Sequence, residues 1–195
     1  MDKLMNMGKE MLQQQLSGQG QSQDQAQPTN QGSGGGGLQN DVLKMAQQHA
    51  SGSAGSSGNS DLFSNIMNAV GQKQDKIQNE DIDEEDAVKQ HQHAYQNDGK
   101  GNSSSLGTAA AMQTLKKFTQ SDNSASSASG QGAFLGMAMA EASKLFDDKA
   151  AKGKVEGGAS KENVVQQAVE TAMKMYFKSQ ATSQGGLAGM AAKFL

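Results

Sequence analysis

Over the second half of the chain, apolar side chains recur at three- and four-residue intervals. The recurrence is broken at Gly/Ser-rich and Lys/Gly-rich stretches. A period near 3.6 belongs to a helix with one buried face. The spacing predicts helices at about 105–119, 132–149 and 160–179, with Ser160 capping the third. The segment GLAGMAAKFL at 186–195 adds one or two further turns.

Upstream, the period is shorter-lived. Residues 38–50 form a helix whose stripe is Val42, Met45, Ala46 and His49. After a small-residue loop at 51–59, Asn59 or Ser60 caps a helix with Leu62, Phe63, Ile66, Met67 and Val70 inward. Gly71 stands where a helix C-cap belongs. Asp83 is an N-cap with Glu84, Glu85 and Asp86 in a first turn that favours negative charge. Ala87, Val88, His91, Ala94 and Tyr95 then follow at helical spacing. Loops are expected at 99–105 and 120–131. At the start, residues 1–16 carry an amphipathic helix with Leu4, Met11, Leu12 and Leu16 on one stripe. The Gln/Gly/Ser tract at 17–37 has no apolar anchor and reads as a linker. The expected fold is all-α: a small bundle of five to seven short helices over 38–195, with flexible loops and a detached N-terminal helix.

The three downstream helices end alike. Phe118, Phe146 and Tyr176 occupy matching positions after Lys-containing turns. This fits a degenerate helical repeat, and equally any set of Ala/Lys-rich amphipathic helices. Their faces are small: Ala109–Ala111, then Gly136, Ala138, Ala140 and Ala142, then Ala168 and Ala172. Small residues let helix backbones approach closely, and Met fills the remaining gaps. Small-xxx-small spacing can mark association in a membrane. Here Lys and Glu interrupt it, so tight packing in water is expected. Helices apolar on two sides, at 133–146 and 164–177, are either central core helices or an oligomer face. The candidate interaction face is Phe134, Met137, Ala138, Leu145, Met173, Tyr176 and Phe177.

Composition narrows the function classes. Hydrophobic residues are 34%, aromatics 4%, and 24 residues are Gly, so the core must be modest. All 17 basic residues are Lys, at a net charge of −3. Without the bidentate fork of Arg, and with this acidic balance, no nucleic-acid surface is expected. Having no cysteine, the chain can form no disulfide and supply no thiolate. No run approaches the ~20 apolar residues of a membrane span, and the N-terminus lacks the apolar core of a signal peptide. A cytoplasmic or nuclear setting is the expectation.

The chemistry-bearing residues converge on nothing. His91 and His93 point about 200° apart on a helix, which spoils a shared metal site. The acidic run from Asp81 to Asp86 fails the calcium-loop pattern, since the sixth residue is Asp86 and the twelfth Gln92. Gly34–Gly37 lacks the lysine of a P-loop, and no nucleophile elbow occurs. No catalytic residue, metal ligand, cofactor or small-molecule substrate is expected.

Several stretches carry a resemblance: NEDIDEEDAVKQHQHAY at 79–95, SSLGTAAAMQTLKKF at 104–118, GAFLGMAMAEASKLFDDKA at 132–150 and ENVVQQAVETAMKMYFKSQ at 162–180. With MDKLMNMGKE at the start and GLAGMAAKFL at the end, they resemble a family of small fungal proteins labelled "beta-flanking protein". The resemblance implies a fungal source, a helical domain of unknown function, and no catalytic residues to carry over. The expected function is a non-enzymatic module that binds a protein or a second copy of itself, with stress response as its context. The alternatives are a hydrophilin-like stress protectant, which would stay disordered, and reversible membrane-surface binding through Leu4, Met11, Leu12 and Leu16.

Overall fold

The computed structural model describes residues 40–120 and 128–181, together with positions 189 and 192. The chain divides into two units, 1–35 and 36–195, and every described residue belongs to the second. The expected N-terminal helix, the linker at 17–37 and most of 186–195 lie outside the described residues.

Among these residues the architecture is helical. The helices are α1 (Asn40–Ala54), α2 (Ser60–Gln72), α3 (Gln74–Asn79), α4 (Glu84–His91), α5 (Ser103–Gln120), α6 (Ala128–Ala151) and α7 (Lys161–Ala181). A 3₁₀ turn at Gly55–Ser57 follows α1, and a π turn at Gln92–Gln96 extends α4. The only extended pairing among them is a parallel bridge between Gly101 and Val155. The all-α reading holds.

Helix starts follow local chemistry. The Asn59 side chain accepts from the Asp61 and Leu62 amides at 3.0 and 3.1 Å. Asp83 accepts from Asp86 N at 2.9 Å, and Ser160 Oγ from Asn163 N at 3.2 Å. At α5, Asn102 and Ser105 cap reciprocally: Ser105 N donates to Asn102 Oδ1 at 2.9 Å, and Asn102 N to Ser105 Oγ at 3.0 Å. Each such cap satisfies amides that the helix leaves orphaned, and typically contributes about 1 kcal/mol.

The centre of the bundle is α5, α6 and α7, each in contact with the other two. α1 lies on α6, α4 on α5, and α2 and α3 on α7. Phe118 and Phe134 meet edge to face, with ring centroids 5.2 Å apart, and both are buried. Leu106, Leu115, Leu135, Met139, Met173 and Met175 pack in the same core, with alanines between them. Three buried hydroxyls each donate to a carbonyl of their own helix: Thr114 to Ala110 O, Ser143 to Met139 O, Ser179 to Tyr176 O. That local bonding lets polar side chains enter the core without an orphaned group.

Three expectations need correction. The stretch 51–59 is not a loop throughout, because α1 continues to Ala54. Its true stripe is Val42, Ala46, Ala50 and Ala54, all buried, while His49 is exposed. Gly71 is no C-cap. It lies inside α2, whose last residue is Gln72 and whose C-cap is Lys73. The expected loops at 99–105 and 120–131 also shrink, since α5 begins at Ser103 and α6 at Ala128.

Candidate functional site

The densest polar chemistry lies where α4 ends. Within the π turn, Ala94 faces inward and Tyr95 is half-buried. Single π turns inside helices are frequent at functional sites. Two residues later Asp98 adopts φ +47°, the left-handed region that usually favours glycine. A non-glycine residue there is held by its surroundings, and three lysines do the holding.

Lys149 Nζ donates to Asp98 Oδ1 at 2.7 Å, and Lys154 Nζ to Asp98 Oδ2 at 2.5 Å. Lys152 Nζ stands 3.6 Å from Oδ1. The Lys149 side chain is 1% exposed. A buried ammonium costs several kcal/mol unless it is paired, so Asp98 is its obligatory counter-ion. The clasp ties the end of the π turn to the C-terminal turn of α6 and the loop beyond it. Gly101 N donates to Lys154 O at 3.0 Å and Glu156 N to Gly101 O at 2.9 Å, which closes the same junction through the backbone. Hydrogen bonds from Lys149, then Lys154, hold the Asp98 carboxyl well below the usual carboxylate range.

One turn back, the Tyr95 hydroxyl donates to Glu141 Oε1 at 2.8 Å, and Glu141 Oε2 receives Lys117 Nζ at 2.7 Å. Burial, then the negative charge of Glu141, pushes the Tyr95 hydroxyl above its ordinary value, so it is a donor at neutral pH. Between these pairs lies a cleft of about 480 Å³, lined by Ala94, Tyr95, Asp98, Glu141, Lys144, Leu145, Asp148 and Lys152. Its lining sets buried Ala94 and Leu145 among charged groups of both signs.

A depressed carboxylate contributes stability above its unfolded pKa of about 3.9 and loses it as pH falls through the folded value. Asp98→Asn, which tolerates the left-handed backbone, is therefore expected to melt below the wild type at neutral pH. The gap should shrink as pH drops beneath about 4. Melting curves of freshly purified proteins across pH check this, and a gap independent of pH would refute it.

The candidate interaction face does not survive as a surface. Phe134, Ala138, Leu145, Met173 and Tyr176 are buried inside the described unit, while Met137 and Phe177 are half-buried. Their apolar stripes are satisfied by α5, α6 and α7 packing on one another, and only Leu145 reaches the cleft. Leu4, Met11, Leu12 and Leu16 lie outside the described residues. His91 stacks on Tyr95 with centroids 5.1 Å apart and bonds Gln113 at 2.7 Å, whereas His93 turns to Lys100 O at 3.1 Å. The acidic run is used structurally: Asp81 and Glu84 both meet Lys178, and Glu80 meets Lys174. Among the described residues, no three acidic or histidine side chains converge to hold a metal, and no helix is long and apolar enough to cross a membrane.

Nothing in the local pattern around Asp98 points to the clasp. One signal was available: Lys149 falls on the stripe Ala138, Ala142, Leu145, where a lysine must be buried with a partner.

Residues 42–123 match a family model described as "Domain of unknown function (DUF7721)". The match spans α1 to α5, with Tyr95 and Asp98, and stops before α6 and the loop after it, which supply Glu141, Lys144, Asp148 and the clasp lysines. No curated protein and no solved structure matches the chain.

Proposed function

We propose that the chain is a non-enzymatic helical interaction module that receives a protein segment in the cleft between the π turn and α6. The observation that carries this reading is the state of the cleft's polar groups. Tyr95, Asp98, Glu141, Asp148 and Lys152 are all engaged with one another or with neighbouring lysines. A catalytic site keeps a base or nucleophile aimed at the substrate. A recognition site needs an apolar floor within a polar rim. Ala94, Leu145 and the Tyr95 ring supply the floor, and exposed Lys144 offers its ammonium to an acidic residue of the partner. The buried core of the described residues also supports a folded module over a hydrophilin-like chain, which could not bury such a surface.

A photo-crosslinking residue placed at Lys144 in the full chain, within its native cells, tests the reading. The expected product is a discrete protein adduct that is absent when the crosslinker replaces exposed Glu162 on α7. Adduct mass separates a second copy from another protein. Equal or absent adducts at the two positions would overturn the proposal.

A further inference from the structure

Asp98 is followed by Gly99. In an Asp–Gly pair the glycine amide nitrogen, unhindered by a side chain, can attack the aspartyl Cγ. A Cγ–N bond forms, the amide proton is lost, and a side-chain oxygen leaves as water, giving a cyclic succinimide. Water then opens the ring. Opening at the former main-chain carbonyl leaves the chain running through Cβ and Cγ, with the old carbonyl as a free carboxylate: isoaspartate. The water lost in the first step is regained in the second, and no other reactant is required.

Two conditions govern that attack. The carboxyl must shed its charge, since a carboxylate is a poor electrophile, and the glycine nitrogen must be free to approach. The fold denies both. Lys149 and Lys154 each hold one oxygen of Asp98, at 2.7 and 2.5 Å, which keeps the group ionised and turned toward α6. Gly99 N–H donates to His93 O at 2.8 Å. The His93 ring occupies the space that a side chain at position 99 would take.

We propose that the Asp98–Gly99 peptide is a latent isomerisation site, held shut by the lysine clasp and the Gly99–His93 hydrogen bond, so that opening of this junction turns a local fluctuation into a permanent lesion. The consequence follows from geometry. Isoaspartate adds one methylene to the backbone and shortens the side chain by one. The Asp98–Lys149 and Gly99–His93 contacts can then no longer form together, and Lys149 is left buried without its counter-ion. The junction cannot re-close, so the damage accumulates in molecules that have opened once.

The test follows isoaspartate at residue 98 by peptide mapping with mass spectrometry. The full chain is incubated at mildly acidic pH and physiological temperature, native and in concentrated guanidinium chloride. The native chain is expected to react at least about tenfold more slowly than the denatured one, since reaction must await local opening. Lys154→Gln, at a partly exposed position, is expected to speed the native reaction while its helical spectrum stays that of the wild type. Lys149→Gln is expected to speed it further. Equal rates in native and denatured wild type, or a folded Lys154→Gln that reacts at the wild-type rate, would overturn the proposal.

Discussion

Phe134→Ala is expected to destabilise the fold by about 3–5 kcal/mol, a large share of the 5–15 kcal/mol typical of a whole domain. Phe134 is fully buried, and its edge-to-face partner Phe118 belongs to the neighbouring helix α5. The core around it is built largely of alanine and methionine. Such a core buries little area per residue, so its few large side chains carry a disproportionate load. Truncation would also leave a cavity at the contact of α5 and α6, and these long helices can close it only by moving as bodies. Phe134→Leu keeps most of the volume and should cost about 1–2 kcal/mol. Chemical denaturation at two protein concentrations is the measurement. Because Phe134 packs inside one chain, the loss should be independent of concentration. A loss below about 1 kcal/mol, or one that appears only through weakened association, would return Phe134 to an interface.

Gly136→Leu is expected to cost about 3 kcal/mol or more and to strip α1 of its protection against hydrogen exchange. A Cβ at position 136 would overlap the Ala46 carbonyl oxygen and stand 2.5 Å from His49 Cβ and 3.1 Å from Ala50 N. Gly132, one turn earlier, brings its own Cβ position within 2.9 Å of Met45 Cβ. Backbone cannot step aside as a flexible side chain can, so α1 must lift from α6. Even Gly136→Ala should destabilise, by about 1–2 kcal/mol, although alanine is the better helix former by about 1 kcal/mol. Gly71→Ala separates the two effects. Its Cβ would meet nothing within 4 Å, and α2 continues through it, so the same change there should stabilise by about 0.5–1 kcal/mol. If both alanine variants stabilise alike, the close approach of α1 to α6 is wrong.

Both results bear on what small residues mean in this chain. Their spacing suggested tight packing in water, and at Gly132 and Gly136 they pack α1 against α6 in that way. The same apolar stripes fit either a core or an oligomer face, and Phe134, Ala138, Leu145, Met173 and Tyr176 are buried in the core. An apolar stripe states that a face is covered. It does not state what covers it.

Elements whose causes are local could be read from the order of residues alone. α5, α6 and α7 were legible because their periodicity runs over many turns, and the caps at Asp83 and Ser160, with Asn59 as one of two candidates, because a side chain bonds an amide two or three residues away. The remaining features depend on which helices meet in space. α1 runs on to Ala54 because α6 and the 3₁₀ turn offer neighbouring surface, which overrides the weak helix propensity of its Ser/Gly end. Gly71 is free to stay helical because α2 continues beyond it, whatever glycine prefers at a helix end. The cleft and its clasp needed the fold most of all. Asp98 finds Lys149 and Lys154 across 51 and 56 residues of chain. A buried lysine requires a carboxylate, but its identity depends on which helix end is brought beside it. Short-range hydrogen bonds and periodicity leave their mark within a few residues, whereas charge pairing and backbone approach are set by distances in space.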